Sequence, residues 1–253
     1  MLKKFMKITV NGRSYNIATC LRIRSKDLLI FLHGLGCSKE NFRHVWNRAE
    51  FKDLSLLSFD FLGFGQSDKP KHFNYKMEEQ SKICNKIIQS FPDFDWHIVA
   101  HSMGGAVGLL LSAEVVDRIH SFVNLEGNLI SQDCFTSRKA IQVSFETFID
   151  EFLPELKDRT RDNKAQLDDL ERSSPEAYYK SCKSLVYWSD NGKLLDKFKS
   201  IMCRKAYFYG ERNAEREPLK FLGDIPQVEI EQSGHMMMLE NPDAFYSKLK
   251  DFL

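Results

Sequence analysis

Between Ile98 and Val107 the sequence reads IVAHSMGGAV, an apolar run that ends in His, Ser, Met and two glycines. A serine hydroxyl attacks a carbonyl only when it stands clear of the backbone and a neighbouring base takes its proton, because its own pKa is far too high. A sharp bend between a strand and a helix meets the first need by forcing the hydroxyl of Ser102 out of the turn. The residues two before and two after such a serine must be small, because the two backbones approach closely there. Here they are Ala100 and Gly104, with Gly105 adding clearance, and alanine stands where a glycine is more usual. At the start of the following helix the Met103 N–H has no helical partner, so it is free to face a developing oxyanion.

The base is sought among seven histidines. His235 follows the last apolar run in a Ser-Gly-His turn, so a short loop can bring it over the strand end from which Ser102 emerges. His101 adjoins the serine, but its side chain is expected to point the other way from the bend. His44, His72, His97 and His120 read as surface or packing residues.

The elements that would position these groups are visible as periodicity. KFMKITV and SYNIATC flank Asn11-Gly12, a strong hairpin signal. DLLIFLHG, LSLLSFD, WHIVAHS and SFVNLEG are continuous apolar runs, which suit parallel strands buried on both faces and joined by helices. Lys76 to Ser90 and Met103 to Ala113 supply helical patterns between them. From about Ser131 to Ser200 helical spacing (Ile141, Phe145, Phe148, Phe152) combines with dense mixed charge, and no strand-like run appears. This stretch is expected to be a helical insertion broken at Pro154 and Pro175. Strand character returns in KAYFYG and QVEIEQSGH, and NPDAFYSKLKDFL closes the chain as an amphipathic helix.

Three further motifs carry a family resemblance. FLHGLGCSKENFRHVW (Phe31–Trp46) is similar to a His-Gly oxyanion loop and the helix after it. DFLGFGQSDKP (Asp60–Pro70) resembles an Asp-x-x-Gly-x-Gly-x-Ser loop, and SGHMMMLENPDAF (Ser233–Phe245) the segment bearing a catalytic histidine. With the Ser102 bend, these resemble the α/β-hydrolases over nearly the whole chain outside the insertion. The resemblance implies a mostly parallel, doubly wound sheet of about eight strands, with residues 1–127 and 204–253 as the core and 128–203 as a helical cap inserted after strand 6. It also implies that the Leu35 N–H is the second oxyanion donor beside Met103, and that His33 braces the oxyanion loop through hydrogen bonds.

The acid is where the sequence departs from the family pattern. The usual position, in a stretch like Gly-x-x-Asp, falls on Asn213 in YGERN, and an asparagine cannot supply the charge that stabilises an imidazolium. Some members carry the acid one strand earlier, where SFVNLEGN places Glu126. A carboxylate ending so apolar a strand needs a partner, and an orienting bond to His235 would supply one. Glu211, Asp60 and a purely structural Glu126 are the alternatives. On this reading replacing Asn213 should leave activity nearly intact.

The expected function is hydrolysis of a small ester or related acyl compound through an acyl-enzyme. A carbon–carbon bond hydrolase, lyase or acyltransferase on the same apparatus, or a small-molecule receptor with little turnover, is the rival reading. From the cap, Trp188 and Arg138 are candidates to reach substrate, and its Phe-rich helices are expected to form an apolar pocket that excludes water. A chain of 253 residues with formal charge +1 gives no support for nucleic acid or an anionic membrane as partner. No run approaches a membrane span and no secretion signal opens the sequence, so a cytoplasmic protein is expected. Six scattered cysteines show neither zinc nor CxxC spacing, and no metal or organic cofactor is expected.

Overall fold

A computed structural model describes residues 2–253; Met1, at the head of the expected first strand, lies outside the described residues. Eight strands among these residues form one sheet: β1 (Leu2–Val10), β2 (Arg13–Arg22), β3 (Asp27–Leu32), β4 (Ser55–Phe59), β5 (Asp95–His101), β6 (Ile119–Leu125), β7 (Arg204–Gly210) and β8 (Gln227–Ile230). Their spatial order is β1-β2-β4-β3-β5-β6-β7-β8. β1 and β2 form the antiparallel hairpin, turning through Asn11 and Gly12 at positive φ, and β2 runs antiparallel to β4. Every pair from β4 to β8 is parallel.

The continuous apolar strands are explained by cover on both faces. Leu28, Ile30, Leu32, Ile98, Ala100 and Phe122 face one core. The alternate residues Leu29, Phe31, Val99, Val123, Leu125 and Phe208 face the other. The first core is closed by helices α1 (Met77–Gln89), α2 (Met103–Leu109) and α3 (Ala113–Val116). The helix expected over Met103–Ala113 therefore ends early and restarts after Ser112.

Between β6 and β7 the described residues form helices joined by loops, with no strand: α4 (Phe135–Ile141), α5 (Phe145–Thr147), α6 (Leu153–Arg159), α7 (Lys164–Glu171), α8 (Pro175–Asp190) and α9 (Lys193–Ser200). Pro175 begins α8 behind its Ser174 cap. Pro154 instead sits in the first turn of α6, where a π-helical stretch, Phe148–Phe152, runs into it, so the chain does not break there. Phe148 packs against Phe145, Phe152, Tyr178 and Tyr179, giving these helices a small core of their own. The remaining helices, α10 (Met237–Glu240) and α11 (Pro242–Phe252), cover the second face.

The loops at the carboxyl ends of β3 and β4 are joined by a buried ion pair. Lys39 Nζ lies 2.8 Å from Asp60 Oδ2, while the Lys39 and Gln66 amides donate to the same carboxylate at 2.7 and 2.8 Å. Both side chains are almost fully enclosed, so losing the ammonium leaves a charge that water cannot reach. Lys39→Met is expected to cost about 3–5 kcal/mol in urea denaturation. Lys3→Ala, which removes an exposed pair with Glu40, is expected to cost under about 1 kcal/mol.

Candidate active site

Ser102 lies between β5 and α2 with φ 52° and ψ −120°, a backbone region that non-glycine residues rarely occupy. The turn is held by the Ser102 N–H on the Leu125 carbonyl and the Gly105 N–H on the Ser102 carbonyl. A Cβ at Gly104 would lie 2.5 Å from the Leu32 carbonyl oxygen and 2.7 Å from that of His33, which shows why only glycine fits there. That closeness brings the start of α2 beside the loop after β3. Neither the Leu35 nor the Met103 amide finds an acceptor among the described residues.

His33 fixes that loop. Its Nδ1–H donates to the Gly34 carbonyl at 2.8 Å, and its Nε2 accepts the Phe61 N–H at 2.9 Å. Burial lowers its pKa to about 4, which keeps the ring neutral and able to accept.

Glu126 follows β6 at φ 40°, and its side chain is fully enclosed. Oε1 accepts from the Gly210 N–H at 2.9 Å and from Asn213 Nδ2 at 2.8 Å. Oε2 accepts from Asn213 Nδ2 at 2.9 Å, Arg216 at 2.7 Å and His235 Nδ1 at 2.9 Å. Burial alone would raise this carboxyl, but the His235 bond and charge, with the Gly210 and Asn213 donors, outweigh it and hold the group at about 2. An ionised carboxylate only accepts, so His235 carries a proton on Nδ1, which leaves Nε2 as the acceptor of the neutral ring.

His235 and Ser102 both line a cavity of about 340 Å³. No hydrogen bond joins Ser102 Oγ to the imidazole among the described residues. Such contacts are characteristically loose until substrate draws the groups together. Beneath His235 lies His101, its ring centroid 4.6 Å away and its Nε2–H bonded to the His235 carbonyl at 2.9 Å. Burial, then the nearby His235, lowers His101 to about 3, so it is a sealed neutral support.

Ser102, His235, Glu126, Leu35 and Met103 thus converge, and two of the expected contacts from the helical segment do not. Arg138 forms a two-pronged ion pair with Asp190, at 3.1 Å for one arm, and also bonds Ser131 at the surface. Trp188 packs against the main core and does not line the cavity. The phenylalanines also differ from expectation: Phe145, Phe148 and Phe152 fill the helices' own core, and the cavity wall is built from Leu156, Leu170, Tyr178, Leu185 and the exposed Phe135. The differences at Trp188 and the phenylalanines have one cause. Periodicity identifies the buried face of a helix but not whether that face meets a neighbour or a cavity.

Sequence reasoning missed Asn213 as a carboxylate donor, Arg216 as its counter-ion, and Asp133, which accepts the second arm of Arg216 at 3.3 Å. A signal was available for Asn213. It occupies the family's acid position, and from there its Nδ2 reaches both oxygens of Glu126.

A family model described as the alpha/beta hydrolase fold matches residues 27–185, more than half of the chain, and the chain belongs to that family. Lipase 3 of a Moraxella strain is 31% identical over 94 residues, covering 37% of this chain and 29% of that protein. The chain spans 37% of a Mycoplasma pneumoniae relative and 25% of an Arabidopsis thaliana one, so these likenesses are to part of each protein. Two solved structures share the fold at low identity. An esterase from Exiguobacterium antarcticum is 16% identical with a TM-score of 0.80, covering 99% of both chains. An esterase from Thermogutta terrifontis is 15% identical with a TM-score of 0.79, covering 100% of this chain and 98% of its own. No helix among the described residues is long and apolar enough to cross a membrane.

The fold favours ionised Glu126, so its contribution is complete above the ordinary value of 4.5 and is lost as pH falls through about 2. The stability gap between wild type and Glu126→Gln in urea is therefore expected to be widest near pH 7 and to close steadily between pH 4.5 and pH 2.

Proposed function

We propose that the protein is a serine hydrolase that cleaves small esters or related acyl compounds through an acyl-enzyme. Ser102 is the nucleophile, His235 the general base and then acid, and Glu126 the carboxylate that orients the imidazole. The Leu35 and Met103 amides form the oxyanion hole, and residues 128–203 act as a cap over the site. The observation that carries this reading is a strained serine and a carboxylate-bound imidazole lining one cavity, beside a loop and a helix start that offer two unengaged amides. The part-length likeness to a lipase and the esterase fold neighbours support the same reading.

In the forward step Ser102 Oγ bonds to the acyl carbon while its proton passes to His235 Nε2. The negative charge on the carbonyl oxygen is met by the two amides, whose positions are fixed before reaction and so need no reorganisation. His235 then protonates the departing alkoxide, and a water activated by the same imidazole releases the acid. Through both steps the imidazolium is stabilised by Glu126, which stays ionised because Gly210, Asn213 and Arg216 also donate to it.

A fluorophosphonate probe is expected to label Ser102, located by peptide mapping, and Ser102→Ala to abolish labelling. Labelling at another residue, or none with folded protein, would refute the nucleophile. With a short-chain aryl ester Glu126→Gln is expected to lower kcat by about 10⁴-fold. Asn213→Ala, now seen to remove one of the carboxylate's donors, is expected to lower it about tenfold, the worth of one charge-assisted bond.

A further inference from the structure

Resting on the hydrolase reading above, we propose that Asn128 selects substrates whose leaving group is a neutral alcohol carrying a further hydroxyl, by accepting a hydrogen bond from that hydroxyl.

Asn128 follows Glu126 by two residues, is 3% exposed and lines the cavity. Its amide N–H lies 3.4 Å from the Ser102 carbonyl oxygen, which ties it to the nucleophile's own turn. The orientation of its side chain is fixed on one side only. Nδ2 donates to the Asp133 carbonyl at 3.0 Å and contacts the Cys134 thiol at 3.5 Å, whereas Oδ1 has no partner. Of the buried side-chain polar atoms left unpartnered among the described residues, this is the one that belongs to a cavity-lining residue. A buried acceptor without a donor is unfavourable, so a ligand that brings a donor gains what one without it forfeits.

The side of the substrate that meets Asn128 follows from the proton's route. Ser102 Oγ forms a bond to the acyl carbon, the carbon–oxygen bond to the alcohol breaks, and His235 gives its proton to the departing oxygen; water later cleaves the acyl-serine bond. The alcohol must therefore leave on the His235 side of the cavity. That side is polar: Arg216 shares Glu126 Oε2 with His235, its other arm reaches Asp133, and Asp133 supplies the carbonyl that holds Asn128 Nδ2. The apolar wall of Leu35, Leu156, Leu170, Tyr178 and Leu185 is left for the acyl chain. An anionic leaving group would face two carboxylates against one guanidinium. A neutral hydroxyl matches the buried acceptor left without a partner, Asn128 Oδ1.

The test is a matched pair with the same acyl group, 2,3-dihydroxypropyl butanoate and propyl butanoate. Wild type is expected to favour the dihydroxypropyl ester by about tenfold in kcat/KM, the value of one recovered bond. In Asn128→Leu the ratio is expected to fall to near one. A wild-type ratio near one, or a ratio that survives in the variant, overturns the proposal. Should the variant not fold, the wild-type ratio decides alone. Protein that takes the fluorophosphonate at Ser102 yet cleaves neither ester refutes the leaving-group assignment and leaves the nucleophile standing. Failure of both labelling and cleavage refutes the hydrolase reading itself.

Discussion

A carboxylate buried without water must be surrounded by donors, and the surroundings of Glu126 determine the shape of this site. Leaving such a charge unpaired would cost several kcal/mol. Four residues supply the donors: the Gly210 amide at the end of β7, Asn213 and Arg216 from the turns after it, and His235 from the loop after β8. They come from two stretches of chain, residues 210–216 and the loop bearing His235, and satisfying one anion brings both to the end of β6. The imidazole is therefore held by the same requirement that keeps the anion stable. Arg216 extends the arrangement to Asp133, whose second oxygen accepts the Leu129 and Ile130 amides, so the first turn of the helical segment is tied to the same cluster.

The other half of the site depends on close approach of backbone. Gly104 lets α2 begin against the Leu32 and His33 carbonyls, and His33 clasps the loop that carries Leu35 to the strand end at Phe61. The Lys39–Asp60 pair fixes the same loop from its far side, and Ser38 donates at 2.5 Å to Asp169 on α7, joining it to the helices above. Burial raises the Asp169 carboxyl to about 6, the opposite direction from Glu126. Asp169 has one short hydroxyl bond where Glu126 has three side chains and an amide, which is why two enclosed carboxylates diverge.

Much of the fold was legible because its signals are local. A strand buried on both faces must be apolar along its length, a two-residue hairpin needs residues tolerant of positive φ, and a serine between close backbones needs small neighbours. The position of Glu126 was legible for a related reason: a charge ending an apolar strand demands a partner. What was hidden depends on convergence. Asn213 cannot carry charge, and judged alone it looked inert, yet its Nδ2 donates to the acid that replaces it. Arg138 and Trp188 had chemistry suited to a substrate, but Asp190 at the end of α8 pairs with one, and the other packs inward. Spacing along a helix does not say which face meets a cavity. His101 was expected to turn away from the bend. Its ring instead lies against that of His235, a contact between residues 134 apart in sequence.

The most direct measurement is a crystal structure of the protein after reaction with a fluorophosphonate. The adduct should sit on Ser102 Oγ, with its phosphonyl oxygen about 2.7–3.1 Å from both the Leu35 and Met103 amides and His235 Nδ1 still on Glu126. A phosphonyl oxygen turned away from those amides, or an imidazole that has left the carboxylate, would contradict this account.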